Sequence, residues 1–477
     1  MPALIAAAAE HLLPPTYTCQ QGPSFEWPST PPESLPLPLS PDARLRFTGR
    51  SCAPTLAYMP GGALANETAR VVDSDTWYPK MGNDGLLWSP WTDGSTVGLA
   101  AGGTGNSARL GWAVLEGYSA ARGFEGMRVS YAGTIPTSAA PLVGRYPCAA
   151  FSANGTWLYG TYGLDQGPRS IGGNATRTCP PNNGTSDNSW CIGGPFIGFH
   201  ASTDQGASWG YGKGITDMNA SAAGNLFRQP WPTAPAPFQF KLMQPHFVDY
   251  GANNALSPDG HAYLVSHGCD AARTDPAAHC GWIQGSQIYL LRSSRPLTVD
   301  SANDPDTYEF WAGSARGWVR GVAGLGAAAP IVDWADRTGV TNVVWVAAKR
   351  RYLMFVTHPS SGGESGGTLD SWVAEAKALT GPWRLVSYWE GFGSQGYSLH
   401  APSPFWAGGR GWLWYSANWF KRADLQPNPA FCNFRAENFT PFTDRGNCYG
   451  SVLGQIEFDI ASSLYDDATS ENEPLFL

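Results

Sequence analysis

Charge is scarce in this chain. Only 14% of its 477 residues are Asp, Glu, Lys or Arg, and they sum to a net charge of −8. A protein that grips phosphates needs a basic stripe. The densest basic runs here are Lys349-Arg350-Arg351 and Lys421-Arg422, too short to form one. Nucleic acid is therefore not expected as a partner. Long apolar runs are missing as well. Nothing approaches the ~20 residues of a membrane-spanning helix, so no membrane partner is expected either. Long amphipathic helical patterns are lacking. The nine cysteines include no CxxC and no Cys/His spacing of the kind that holds zinc. The short run Leu4-Ile5-Ala6-Ala7-Ala8-Ala9 is broken by Glu10 and has no basic residues ahead of it, which makes a poor secretory leader.

What is plentiful is glycine (57), proline (39) and tryptophan (21), with aromatic residues at 13%. Disordered chains lack aromatics, so this composition suits short strands, tight turns and aromatic surfaces. Cysteines fall in close pairs, Cys179 with Cys191, Cys269 with Cys280 and Cys432 with Cys448, as disulfides across long loops would. The odd count leaves one thiol over, and Cys148, inside a predicted strand, is the candidate. Six N-x-S/T sequons stand at Asn66, Asn154, Asn174, Asn183, Asn219 and Asn438. With the cysteines they favour an extracellular, eukaryotic secretory setting.

One pattern recurs five times: a β-prone run, a tight turn, then a run rich in Trp, Tyr or Leu. The first copy is Asp75-Thr76-Trp77-Tyr78-Pro79, the turn Asn83-Asp84-Gly85, then Leu86 to Trp91. The second runs from Arg145 through Asn154-Gly155 to Gly160, and the third turns at Asp259-Gly260 before His261 to His267. The fourth joins Thr341–Ala347 to Arg351–Val356, and the fifth turns at Gly408-Gly409 between Ser398–Trp406 and Trp412–Ser416. Asn-Gly and Asp-Gly between β runs are hairpin signals. A second hairpin follows several copies, so each makes a four-stranded unit. The pattern predicts an all-β, five-bladed β-propeller of four-stranded antiparallel blades. Copy five lacks one strand, which Ala43 to Gly49 supplies, closing the ring and hiding its edges. The expected layout is an extended arm over 1–42, the propeller over 43–462 and a tail over 463–477.

Ser202-Thr203-Asp204-Gln205-Gly206-Ala207-Ser208-Trp209 resembles the S-x-D-x-G-x-x-W Asp-box of sialidases, a turn device in an outer hairpin and not a catalytic site. The stretch Asp75 to Trp91, with an acidic residue opening the innermost strand, resembles the five-bladed glycoside hydrolases of the arabinanase and fructosidase group. Thr380-Gly381-Pro382-Trp383 is similar to a hairpin frequent there. The resemblance spans roughly residues 70 to 460. It implies glycoside hydrolysis at one propeller face, without a required cofactor. It also implies that a channel histidine helps hold a structural calcium or a water. Where those enzymes carry a catalytic Glu in the third blade, this chain has none, and Asp249 is the nearest carboxylate.

Glycoside hydrolysis needs two carboxyl groups in different protonation states, and crowding separates their pKa values. The hairpin reading brings inner-strand starts and second-strand ends to one mouth. Asp75 is expected to be the base or nucleophile, Asp249 the acid, and Asp165 an orienting or pKa-tuning group with Asp93 as its substitute. Arg145, His267, Asp270 and His358 join them as substrate contacts. Trp77 and Trp419 are expected to offer indole faces to sugar rings, which pack well on them. His246 and His400 are the channel histidines assigned to the metal. Two other readings stay open. One is a polysaccharide lyase using a His or Tyr base with Arg145 neutralising a uronate. The other is a non-catalytic carbohydrate-binding propeller. A monomer acting on a carbohydrate outside the cell is the expectation.

Overall fold

The computed structural model describes residues 17–27, 31–33, 35–54, 72–96, 99–101, 109–136, 145–153, 155–165, 192–210, 225–229, 240–270, 281–359, 369–392, 396–417 and 450–461. They form five antiparallel sheets, the blades of a propeller. Blade one has Val72–Asp75 and Lys80–Met81 innermost, then Leu87–Thr96, Arg109–Glu116 and Arg128–Pro136. Blade two comprises Arg145–Ala153, Thr156–Asp165 and Ile192–Ser202, with a bridge from Ala201 to Gly210 beginning the outer edge. Blade three runs His246–Phe247, Tyr263–Gly268, Gly285–Ser293, Tyr308–Trp311 and Trp318–Arg320. Blade four is Val340–Val346, Arg351–Pro359, Leu369–Ala376 and Arg384–Trp389. Blade five takes Gly396–His400, Arg410–Ala417 and Gly450–Ile460 from late in the chain, and Ala43–Pro54 pairs on its outside. Inner strands touch from blade one through to blade five, and the ring meets again where Gly450–Ile460 of blade five contacts Val72–Asp75 of blade one.

Local chemistry explains the hairpins. In blade one, Asp84 accepts from the Leu86 N–H and the Trp88 indole N–H, each at 3.0 Å, and Gly85 takes the left-handed φ of +77° that the turn requires. Blade four turns without glycine there, and Arg350 adopts φ +51° instead. In the outer hairpin of blade two, the Ser208 N–H donates to Asp204 Oδ1 at 2.9 Å and the Gly206 N–H to Ser202 Oγ at 2.8 Å.

Tryptophan fills the wedges between twisted sheets. Between blades one and five, Trp77 lies between Trp91 and Trp414, with ring centroids 6.4 and 6.1 Å away. Between blades one and two, Trp88 stacks on Trp112 at 5.0 Å and meets Trp157 at 4.6 Å. Glycines let the indoles approach: a Cβ on Gly111 would lie 2.2 Å from the Trp91 ring, and one on Gly133 would lie 2.7 Å from Trp112. These large flat side chains bury much apolar area per residue, which is why so many are used.

The described part of the N-terminal arm is not free. Tyr17–Gln21 pairs with Ala43–Pro54, Cys19 is bonded to Cys52, and Phe25 stacks on Phe47 at 5.1 Å. The Ser40 N–H donates to the Leu385 carbonyl of blade four at 2.7 Å. Cys148 is a free, buried thiol. Cys269 is disulfide-bonded. The other predicted cysteine partners lie outside the described residues. Among the described residues, no helix is long and apolar enough to cross a membrane.

Candidate active site

The antiparallel register decides which residues share a rim. Inner strands of all blades run the same way, so one rim carries their starts together with the ends of the second strands. Asp75 pairs with Thr92, next to Asp93. Arg145 pairs with Gly163, and two residues on Asp165 pairs with Ile192. The Met243 N–H donates to the His267 carbonyl in blade three, and Val340 pairs with Thr357, next to His358, in blade four. The backbones of Asp75, Asp93, Arg145 and Asp165 therefore belong to one rim, on neighbouring blades. Trp419 lies outside the described residues.

Asp249 does not join them. It comes after the paired residues His246 and Phe247, on the way to the hairpin turn, and bridges to Val344. Its level is that of Lys80, 3.7 Å away, which stands five residues beyond Asp75 along blade one, a run of up to ~17 Å. It is also 3% exposed, and its oxygens accept from the Ser403 N–H (3.0 Å), the Ser403 hydroxyl (2.7 Å) and the Gly251 N–H (3.0 Å). Burial alone would raise its pKa. Lys80, His400 and the two backbone N–H groups outweigh that and hold it below the usual value. A carboxylate so held cannot lend a proton to a leaving group, which corrects its assignment as the acid.

Around Asp249 the channel forms a cross-blade polar cluster. The Lys80 ammonium of blade one donates to the Phe247 carbonyl of blade three at 3.0 Å. The His400 ring of blade five reaches the Pro79 carbonyl through Nε2 at 2.8 Å, with Asp249 Oδ2 at 3.9 Å. Ser398 donates to the Tyr78 hydroxyl at 2.9 Å, and the Tyr78 ring packs on His246 at 4.4 Å. Burial, then the nearby Lys80 charge, lowers the His400 pKa to about 3. Burial, Lys80, His400 and His267 push His246 well below its ordinary value. Both rings are neutral at physiological pH.

Other expected contacts have partners within the fold. Trp77 is 1% exposed, and its indole N–H donates to the Ser74 carbonyl at 3.1 Å. It fills the gap between blades one and five and offers no face to a sugar. Asp270 is ion-paired with Lys241 at 3.3 Å. His358 is buried, with Nδ1 2.8 Å from the Pro359 carbonyl and Nε2 3.4 Å from the Tyr388 hydroxyl. Tyr388 donates to Asp370 at 2.7 Å, and Arg337 stands 3.7 Å from Asp370. The cluster of Arg337, Asp370 and Tyr388 went unread in the sequence, as did Lys80, Tyr78, Ser398 and Ser403. For Lys80 a signal existed: a lone basic residue inside the first inner run, Trp77-Tyr78-Pro79-Lys80.

His267 is fully buried, and its Nε2–H donates to the Gly281 carbonyl at 3.2 Å. Burial lowers its pKa from 6.5 to about 4. The unfolded chain then binds a proton that the folded one refuses, so stability falls as pH drops from 6.5 towards 4. His267→Gln retains an N–H donor but no titrating ring. Its unfolding free energy, followed by urea melts across that window, is expected to lose about one proton of pH slope. An unchanged slope would mean that His267 is already protonated in the folded protein.

No family model and no curated protein matches the chain. Solved structures similar to it include the inulosucrase of Halalkalicoccus jeotgali, bound to kestose, at 11% identity and a TM-score of 0.39, covering 92% of this chain and 97% of that one. The endo-1,5-alpha-L-arabinanase of Thermotoga petrophila RKU-1 shares 11% identity at a TM-score of 0.38, covering 85% and 77%. A GH43_1 enzyme of Xanthomonas citri shares 11% at 0.37, covering 81% and 88%.

A channel calcium does not fit the described donors. Calcium prefers six to eight oxygens. Among the described side chains of this cluster Asp249 is the one carboxylate, already engaged by Ser403, Gly251 and Lys80, and the Lys80 amine points at the Phe247 carbonyl. Two neutral imidazoles do not make up the shortfall.

Proposed function

We propose that the protein is a secreted glycoside hydrolase acting on a polysaccharide or oligosaccharide at the rim where its inner strands begin. The observation that supports this reading is the strand register, which pairs Asp75 with Thr92, the neighbour of Asp93, in blade one and Arg145 with Gly163, two residues from Asp165, in blade two. Asp75 acts as base or nucleophile. With Asp249 removed from the rim, Asp165 takes the second role, because it stands on the neighbouring blade and the two carboxyl groups must flank one linkage. Asp93 follows Asp75's own strand partner and serves as the tuning carboxylate. Arg145 binds substrate oxygens. The Cys19–Cys52 bond, the bonded Cys269 and the sequons support an extracellular setting.

The test is a panel of plant, algal and microbial polysaccharides incubated with the purified protein. New reducing ends without ultraviolet absorbance of an unsaturated sugar are expected. Products that absorb would favour a lyase, and binding without turnover a carbohydrate-binding propeller.

A further inference from the structure

The channel described above holds a buried amine beside a carboxylate: burial lowers the Lys80 pKa, and the adjacent Asp249 carboxylate opposes that shift and favours the ammonium. The Lys80 side chain is 10% exposed and Asp249 2%, and they stand on different blades. Lys80 binds the Phe247 carbonyl at 3.0 Å and the Asp249 carboxylate at 3.7 Å. Asp249 in turn holds the backbone of Ser403, three residues beyond His400 in blade five, at 3.0 Å. Two contacts thus connect blades one, three and five through a single carboxylate.

We propose that Lys80 is the resident cation of this propeller's channel, an ammonium in the place of a metal ion, whose charge compensates Asp249 and fastens blades one, three and five together. The inference stands apart from the hydrolase reading, since it concerns what holds the ring and not what the rim cleaves. Its physical basis is the cost of an uncompensated buried charge. A paired carboxylate is tolerated inside a protein, whereas removing its partner alone is strongly destabilising. An ammonium also repels divalent cations from the same few oxygens, so the channel selects against calcium.

The test is a double-mutant comparison by thermal melting of the full chain, with bound calcium measured by elemental analysis. Lys80→Met keeps the aliphatic stem and removes the charge. It is expected to lower Tm by roughly 5–10 °C. Neutralising the carboxylate in the same molecule, Lys80→Met with Asp249→Asn, is expected to restore most of that loss. Should Lys80→Met fail to fold, the double variant must still fold, because it leaves no buried charge. A small alkylammonium ion, ethylammonium, is expected to raise the Tm of Lys80→Ala and not that of the wild type, since a water-sized cavity of about 10 Å³ adjoins Lys80, Asp249 and Asn254. Three results would overturn the proposal. They are a Lys80→Met variant that melts like the wild type, a double variant no more stable than the single, and one calcium per wild-type chain that is lost on Asp249→Asn. None of these readouts involves a polysaccharide, so they fail or succeed independently of the proposed activity.

Discussion

Asp75→Asn is expected to cut kcat on a hydrolysed polysaccharide by about 10²–10⁴-fold and to leave the melting curve in place. Asn keeps the shape of the side chain and removes the carboxylate that must attack or activate water. The residue ends Val72–Asp75, the first inner stretch of blade one, directly across from Thr92. Asp165→Asn is expected to lower kcat as well, since both carboxyl groups must act on one linkage. Asp249→Asn should behave in the opposite way. It leaves the Lys80 ammonium buried beside a neutral amide and lowers Tm, without a matching loss of kcat per folded molecule. Measuring kcat and Tm for the three variants on one substrate decides the matter. Full activity in Asp75→Asn would remove Asp75 from the chemistry, and a kcat collapse in Asp249→Asn at unchanged Tm would return the acid role to it.

The second large effect is on stability. Trp77→Ala is expected to cost about 3–5 kcal/mol, the range for truncating a buried aromatic side chain. Trp77 is the middle indole of three, with Trp91 and Trp414 on either side, and it is 1% exposed. The cavity left behind would adjoin both neighbours, and both are already held, Trp91 by Gly111 and Trp414 by the Phe124 ring at 4.9 Å. Urea unfolding should show the midpoint falling steeply, and Trp77→Phe should recover part of the loss. A sugar platform would behave differently: KM would rise and the urea midpoint would stay where it is.

Much of the ring was legible in the sequence because its signals are local. Asp84-Gly85 and Asp259-Gly260 mark turns through side-chain acceptors and a left-handed glycine, and each acts over four or five residues. The strand from Ala43 was legible for a different reason, since the fifth copy was short by one strand, and Ala43 does pair with Ile460. The channel was harder. Asp249 reads as a strand start only if the inner strand of blade three begins there, and the pairing of His246 with Val265 shows that it begins earlier. A shift of a few residues along a strand moves a side chain from one end of the channel to the other, and composition does not register it. The same holds for Cys19 and Cys52. They stand 33 residues apart and meet because Tyr17–Gln21 happens to pair back on Ala43–Pro54.

By itself the sequence determined the kind of protein this is: an all-β ring of repeated hairpins, poor in charge, rich in indole, with acidic residues at its strand ends. Those properties follow from turn residues and periodicity, which act between near neighbours. Only the tertiary structure decided that Trp77 is packing and that Asp249 belongs to Lys80. Such choices depend on register and on contacts between blades hundreds of residues apart, as when Ser398 meets Tyr78. A buried charge declares its partner only once the chain has closed around it.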